Sequence, residues 1–154
     1  MKIRLLTITH KVPNWIEAGY QEYIKRLPPA YSLELIEVPA EKQTEGNQER
    51  ILQREGEKLL SLVKPTHHII ALDVKGSLWS TEQLADQLAA WQQARHPIDL
   101  LVGGPFGLSP DCLKRASQTW SLSPLTFPHF IVRLIVAEQF YRAFSILQKH
   151  PYHR

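Results

Sequence analysis

The residues with the most chemical capacity stand at the end of the chain, His150-Pro-Tyr-His-Arg154, with Glu138 and Arg142 shortly before them. An imidazole exchanges a proton near neutral pH, its ordinary pKa being about 6.5. A phenol such as Tyr152 can stack on a base or hydrogen-bond its carbonyl. A guanidinium stabilises a developing oxyanion or holds a phosphate. Glu138 and Arg142 stand in the favourable i, i+4 order on a helix, as consistent with a structural ion pair as with a catalytic one. His150 and His153 could be read as a metal pair, but no further ligand cluster accompanies them, so no metal is expected.

A second group of candidates lies in three breaks after strand-like runs: Leu72-Asp73, Val102-Gly103 and Leu122-Ser123. In an open α/β sheet, ligands bind beyond the carboxyl ends of the strands, and glycine lets a ligand approach the backbone. The segment Gly103-Gly-Pro-Phe-Gly107 is neither G-x-G-x-x-G nor a P-loop, which disfavours a dinucleotide or a triphosphate. Taken alone it is equally well a tight turn. Together the three breaks could form a pocket with apolar walls and exposed backbone polar groups, suited to a small heterocycle.

Positioning these residues requires alternating elements. Strands are predicted at 2–9, 33–38, 67–73, 98–102 and 118–122, each a short apolar or alternating run. Pro13-Asn14 opens a helix with Ile16, Tyr20, Tyr23, Ile24 and Leu27 on one face, stopped by Pro28-Pro29. A second helix, about 47–63, should bury Leu52, Leu59, Leu60 and Val63, with close packing at Gly56. Residues 39–49, including Gly46, read as a surface loop, and Val74-Lys-Gly-Ser77 as a turn. Ser80-Thr-Glu-Gln83 fits a capping box before a helix burying Leu84, Leu88 and Trp91. Trp15 and Trp79 fall at helix starts, where packing is expected before RNA contact. The alternation predicts one α/β domain over 1–154 with a mostly parallel sheet of five to six strands flanked by helices.

The last helical pattern, His129 to Gln148, is apolar on two sides. Val132, Val136, Ala137, Phe140, Ala143, Phe144 and Leu147 form one arc. Ile131, Ile135 and Ile146 cluster opposite, near Gln139 and Arg142. A helix covering one sheet needs only one stripe, so the second side predicts a homodimer.

Composition is ordinary for a soluble domain, with 44% apolar and 21% charged residues. The single Cys112 excludes an internal disulfide and fits a reducing compartment. No signal peptide and no run approaching the ~20 apolar residues of a membrane span is visible, so a cytoplasmic location is expected. Net charge is +3 but uneven: residues 1–27 carry five Lys/Arg against two acids and 111–154 six against two, while the middle is acidic. If the two ends meet, they make a basic face for a polyanion.

Leu72-Asp73-x-x-Gly76, Gly103-Gly-Pro-Phe-Gly-Leu-Ser109, Leu122-Ser-x-Leu-Thr-x-Pro-His129-x-x-x-Arg133 and Glu138-Gln-x-Tyr-Arg-Ala143, leading into the terminal tail, resemble the small SPOUT-superfamily methyltransferases. The resemblance covers essentially the full length and points to the ribosomal RNA large subunit methyltransferase H family, which N3-methylates a pseudouridine in 23S rRNA. It implies a trefoil-knotted fold, with about 67–154 forming the knot, a homodimer through the C-terminal helix, and S-adenosyl-L-methionine as cofactor. It also implies a cofactor site at Leu72, Gly103, Leu122, Ser123, Pro124, Leu125, Thr126 and Phe127. The substrate would be 23S rRNA within the ribosome, presented as a loop nucleotide or one flipped from its stack. His153 would then accept or orient the imide proton, Tyr152 position the base, and Arg142 stabilise charge. A SPOUT enzyme acting on tRNA or another rRNA base, and a non-catalytic ribosome-associated RNA-binding protein, remain as alternatives.

Overall fold

A computed structural model of the chain describes residues 1–42 and 47–154. The strands are β1 (Lys2–Thr9), β2 (Ser32–Pro39), β3 (His68–Leu78), β4 (Ile98–Val102) and β5 (Gln118–Ser121). The helices are α1 (Asn14–Ile24), α2 (Gln48–Leu62), α3 (Thr81–Ala94), α4 (Pro110–Arg115) and α5 (His129–Leu147), followed by a terminal 3₁₀ turn at Pro151–His153. All five strands are parallel, in the order β2-β1-β4-β3-β5. This is the expected class, with five strands.

The continuous apolar runs of β1 and β4 follow from burial on both faces, as parallel strands require. On one face Ile3, Leu5, Leu100 and Val102 pack beneath α1, α3 and α5, through Tyr20, Leu84, Leu88 and Phe140. On the other, Leu6, Ile8 and Leu101 meet α2 and α4 through Leu59 and Cys112. The Cys112 thiol is fully buried, and burial pushes its pKa up, so it packs as an inert small apolar group. The Ser80 capping box forms with both of its bonds in place.

At the amino ends of the strands, Asp99 of β4 is fully buried and held on every side. Arg4 of β1 donates to it through Nε at 2.7 Å and Nη2 at 3.0 Å, the Lys64 amide donates at 3.1 Å, and His67 Nδ1 lies 2.9 Å away. This network ties β1, β4 and the end of α2 together.

Three local readings need correction. β3 does not end in a turn at 74–77: it continues to Leu78, with Leu72 and Ser77 both opposite Trp120 of β5. The four residues between them form a bulge, and Gly76 makes it possible, since a Cβ there would lie 2.7 Å from the Thr119 backbone. In α2 the buried residues are Ile51, Glu55, Gly56 and Leu59, while Leu52, Leu60 and Val63 are only partly covered. Gly56 sets that face, because a Cβ on it would come within 2.8 Å of Ser109 Cβ at the start of α4. Trp79 is packed between Trp91 and Trp120, as expected, but Trp15 is 60% exposed. Of the loop expected at 39–49, residues 43–46 lie outside the described residues.

Candidate active site

The carboxyl ends of β3, β4 and β5 and the start of α5 enclose a cavity of about 360 Å³. Its floor is the segment Gly103–Gly107. Gly107 has φ +84°, its amide donates to the Gly104 carbonyl at 2.9 Å, and a Cβ on Gly103 would collide with the Gly107 carbonyl. The turn therefore closes on itself and leaves backbone facing the cavity. One wall is the β3 bulge, with Leu72, Asp73 and Val74; the opposite wall is the segment after β5. There the Ser123 hydroxyl accepts from the Leu125 amide at 3.0 Å and Ser121 Oγ donates to the Ser123 carbonyl at 3.2 Å, which shapes a compact turn.

Of the expected cofactor residues, Leu72, Gly103, Leu122, Ser123, Leu125, Thr126 and Phe127 line this cavity. Pro124 is exposed and is not part of the lining. Leu125 is 68% exposed at the cavity's edge. Asp73 and Gly104, both in the strand-end breaks expected to form a pocket, line it too, as do His129 and Val132, for which no cofactor contact was expected. For His129 the available signal was its place directly after Pro128, where a helix N-terminus faces the strand ends.

His129 belongs to a polar cluster at the end of β1. Its ring meets His10 edge-on at 5.2 Å, and burial, then His10 and Arg133, push its pKa down. Arg133, one turn further along α5, is 2% exposed. Its Nη2 donates to Thr9 Oγ1 at 3.1 Å and its Nη1 lies 3.5 Å from Glu37 Oε2. Glu55 of α2 sits beneath Gly104; burial raises its pKa although its Oε2 accepts from the Glu41 amide at 3.1 Å.

The three expected catalytic side chains gather at the other end of α5. Arg142 donates to Glu138 through Nε at 2.8 Å and lies 5.0 Å over the Tyr152 ring. The Tyr152 hydroxyl donates to Glu138 Oε1 at 3.3 Å, and its ring meets Tyr141 at 4.5 Å. Burial, then Tyr23 and Glu138, push the Tyr152 pKa up, so the phenol keeps its proton. His153 Nδ1 is 2.8 Å from the His150 carbonyl. A carbonyl only accepts, so Nδ1 carries a proton, which leaves Nε2 as the atom that can take up or give up the second. Residues sequence reasoning missed here are Tyr23 of α1 and Arg26 in the turn after it, which border the same cluster through Tyr141.

These two groups do not meet within one chain. From His129 to Arg142 the helix rises about 20 Å at 1.5 Å per residue. Among the described residues no cluster of three or more metal-ligating side chains occurs, and no helix is long and apolar enough to cross a membrane.

A parallel sheet covered by helices on both faces, with a backbone-floored pocket beside it, defines the fold class. Two solved structures share the fold: one titled "probable methylase family protein" from Haemophilus influenzae (TM-score 0.59, 11% identity, covering 99% of this chain and 70% of that one) and one titled "putative methylase family protein" from Neisseria gonorrhoeae (0.54, 12%, 91% and 81%). The family model described as "Predicted SPOUT methyltransferase" matches residues 1–153. Proteins named "Ribosomal RNA large subunit methyltransferase H" from Pseudomonas aeruginosa and Hahella chejuensis are 47% and 48% identical, covering all of this chain and 100% and 99% of those proteins. The chain belongs to the SPOUT methyltransferase family and, within it, to the ribosomal RNA large subunit methyltransferase H family.

Proposed function

We propose that the protein is a cytoplasmic, S-adenosylmethionine-dependent methyltransferase that N3-methylates a pseudouridine in a 23S rRNA loop on assembled ribosomal particles. In this reading residues 1–154 are one SPOUT domain, with about 67–154 forming the trefoil knot and the cofactor site. The cavity suits the cofactor: its floor is the backbone of the Gly103–Gly107 turn, and leucines at 72, 122 and 125 suit an adenine ring. When bound, the cofactor supplies an electrophilic methyl group on a sulfonium.

The observation that carries the reading furthest is the separation of tail and pocket along α5. The chemistry needs a proton acceptor beside the target nitrogen, and such positioning can supply roughly 7–11 kcal/mol of the barrier. A tail about 20 Å away cannot provide it in cis. An antiparallel pair of α5 helices, joined through the side bearing Ile131 and Ile135, would bring each tail to the partner's pocket. The homodimer is thus part of the active site. His153 Nε2 would take the imide proton, Tyr152 would hold the base, and Arg142 would balance the charge left on it.

Two assays test this. S-adenosylhomocysteine at 100 times its dissociation constant should stabilise the native state by about 2.7 kcal/mol in thermal unfolding. Methyl transfer to ribosomal particles, free 23S rRNA and tRNA then identifies the substrate. No thermal shift at saturating ligand would favour the RNA-binding alternative, and transfer to tRNA alone would move the substrate.

A further inference from the structure

The chain's positive charge is gathered at the end of the sheet where the strands begin, opposite the cavity. All five helices run back to this end, which residues 1–4, 22–34, 62–68, 94–99, 113–117 and 138–154 compose. They carry eleven Lys/Arg against four acids, a net +7, while the rest of the chain carries seven against eleven, a net −4. The four acids are committed: Glu22 to Lys25 and Arg26, Glu34 to Lys2, Asp99 to Arg4, and Glu138 to Arg142. Lys64, Arg95, Lys114, Arg115, Lys149 and Arg154 have no carboxylate partner among the described residues. Cations at helix ends also answer the helix dipole, but five helix C-termini amount to about −2.5 charges, well short of that excess.

Two of the unpaired cations carry a further mark. Arg95, just past α3, and Lys149, just past α5, both have φ +59°, and they are the only non-glycine residues with positive φ among the described residues. Helices ordinarily place glycine there, because a Cβ is strained in that conformation. Tyr31 ties the two helix ends together: its hydroxyl donates to Gln92 of α3 at 3.3 Å and its ring stacks on Phe144 of α5 at 3.9 Å. Beside Arg95, a hollow of about 250 Å³ is lined by Trp91, Lys2 and His96.

We infer that this end, centred on Arg95 and Lys149, holds phosphates of the RNA strand that flanks the target nucleotide; this rests on the methyltransferase reading above. The cavity's own lining holds one carboxylate, Asp73, and no Lys or Arg, so the phosphates need another surface. α5 spans from the cavity to the basic end. In the antiparallel pairing of α5, the basic end of one protomer therefore borders the cavity of the other. A strand laid across the pair meets a cavity on one protomer and cations on its partner, and the phosphate contacts set its register.

The test places glycine at the two positive-φ sites, which removes the charge where the backbone favours glycine. Arg95→Gly, Lys149→Gly and the double variant should melt at or above wild type and keep wild-type affinity for S-adenosylhomocysteine. Their affinity for ribosomal particles and for free 23S rRNA should fall about fivefold per substitution near 0.1 M salt. The slope of log affinity against log salt should drop by roughly 0.7 for each. Lys11→Ala, exposed at the cavity end, is the control and should change neither. Unchanged affinity and slope in the double variant overturn the surface, and so does an equal loss in Lys11→Ala. A wild type that shows this salt dependence but no thermal shift with S-adenosylhomocysteine sinks the methyltransferase reading while upholding the RNA surface.

Discussion

At the scale of single residues, His153 has its tautomer set by its own chain, because the His150 carbonyl can only accept from Nδ1. His153→Ala should lower the single-turnover methylation rate by about 10²- to 10⁴-fold while leaving S-adenosylhomocysteine affinity unchanged. Equal losses in both would mark His153 as structural. Tyr152 differs: its hydroxyl is committed to Glu138 and its ring lies against Arg142, so Tyr152→Phe should retain most base positioning. The kinds of group in the tail were legible in the sequence. The place of His129 in the cavity lining was not, because it depends on strand ends and a helix start meeting in space.

Among the elements, the Asp99 network joins β1, β4 and the α2 end. Asp99→Ala leaves the Arg4 guanidinium buried without its partner, and about 3–5 kcal/mol of stability should be lost in urea unfolding. Burial alone would raise the Asp99 pKa, but Arg4, His67 and the Lys64 amide outweigh it and hold the carboxyl below its ordinary range. A depressed pKa gives stabilisation that is complete above the unfolded value, about 3.9, and is lost as pH falls through the lower folded value. Urea midpoints of wild type should therefore fall below about pH 4, and Asp99→Asn should flatten that part of the curve. At the other end of the sheet, Gly76→Ala would force a Cβ against the β5 backbone, and should lower both melting temperature and cofactor affinity. Strand positions were readable because continuous apolar runs such as Ile98–Val102 have few other uses. The bulge in β3 was not, since Val74–Ser77 carries turn residues and only its register against Trp120 keeps it in the sheet.

For the whole molecule, the separation of pocket and tail makes cooperation between two chains directly measurable. A His153→Ala protomer and a Gly103→Val protomer, whose side chain would break the pocket floor against the Gly107 backbone, each inactive alone, should regain activity when co-expressed, because the proposed dimer, when mixed, holds one intact pair. A site completed in cis gives no recovery. Antiparallel α5 helices that place Arg142 near the partner's His129 would cross close to Ile135, so Ile135→Cys should form an intermolecular disulfide under mild oxidation. The two-sided apolar pattern of α5 was plain from sequence, and its length already implied the distance; what the chain alone could not convey was that the start of α5 joins the strand ends in lining one cavity. The burial of Cys112 adds a practical dividend to these experiments. With its only thiol shut inside the α2–α4 layer, the protein is silent toward thiol reagents until that layer opens. Any cysteine placed on the surface can be labelled in the unaltered background, and the slow modification of Cys112 itself becomes a clock for how often that layer opens.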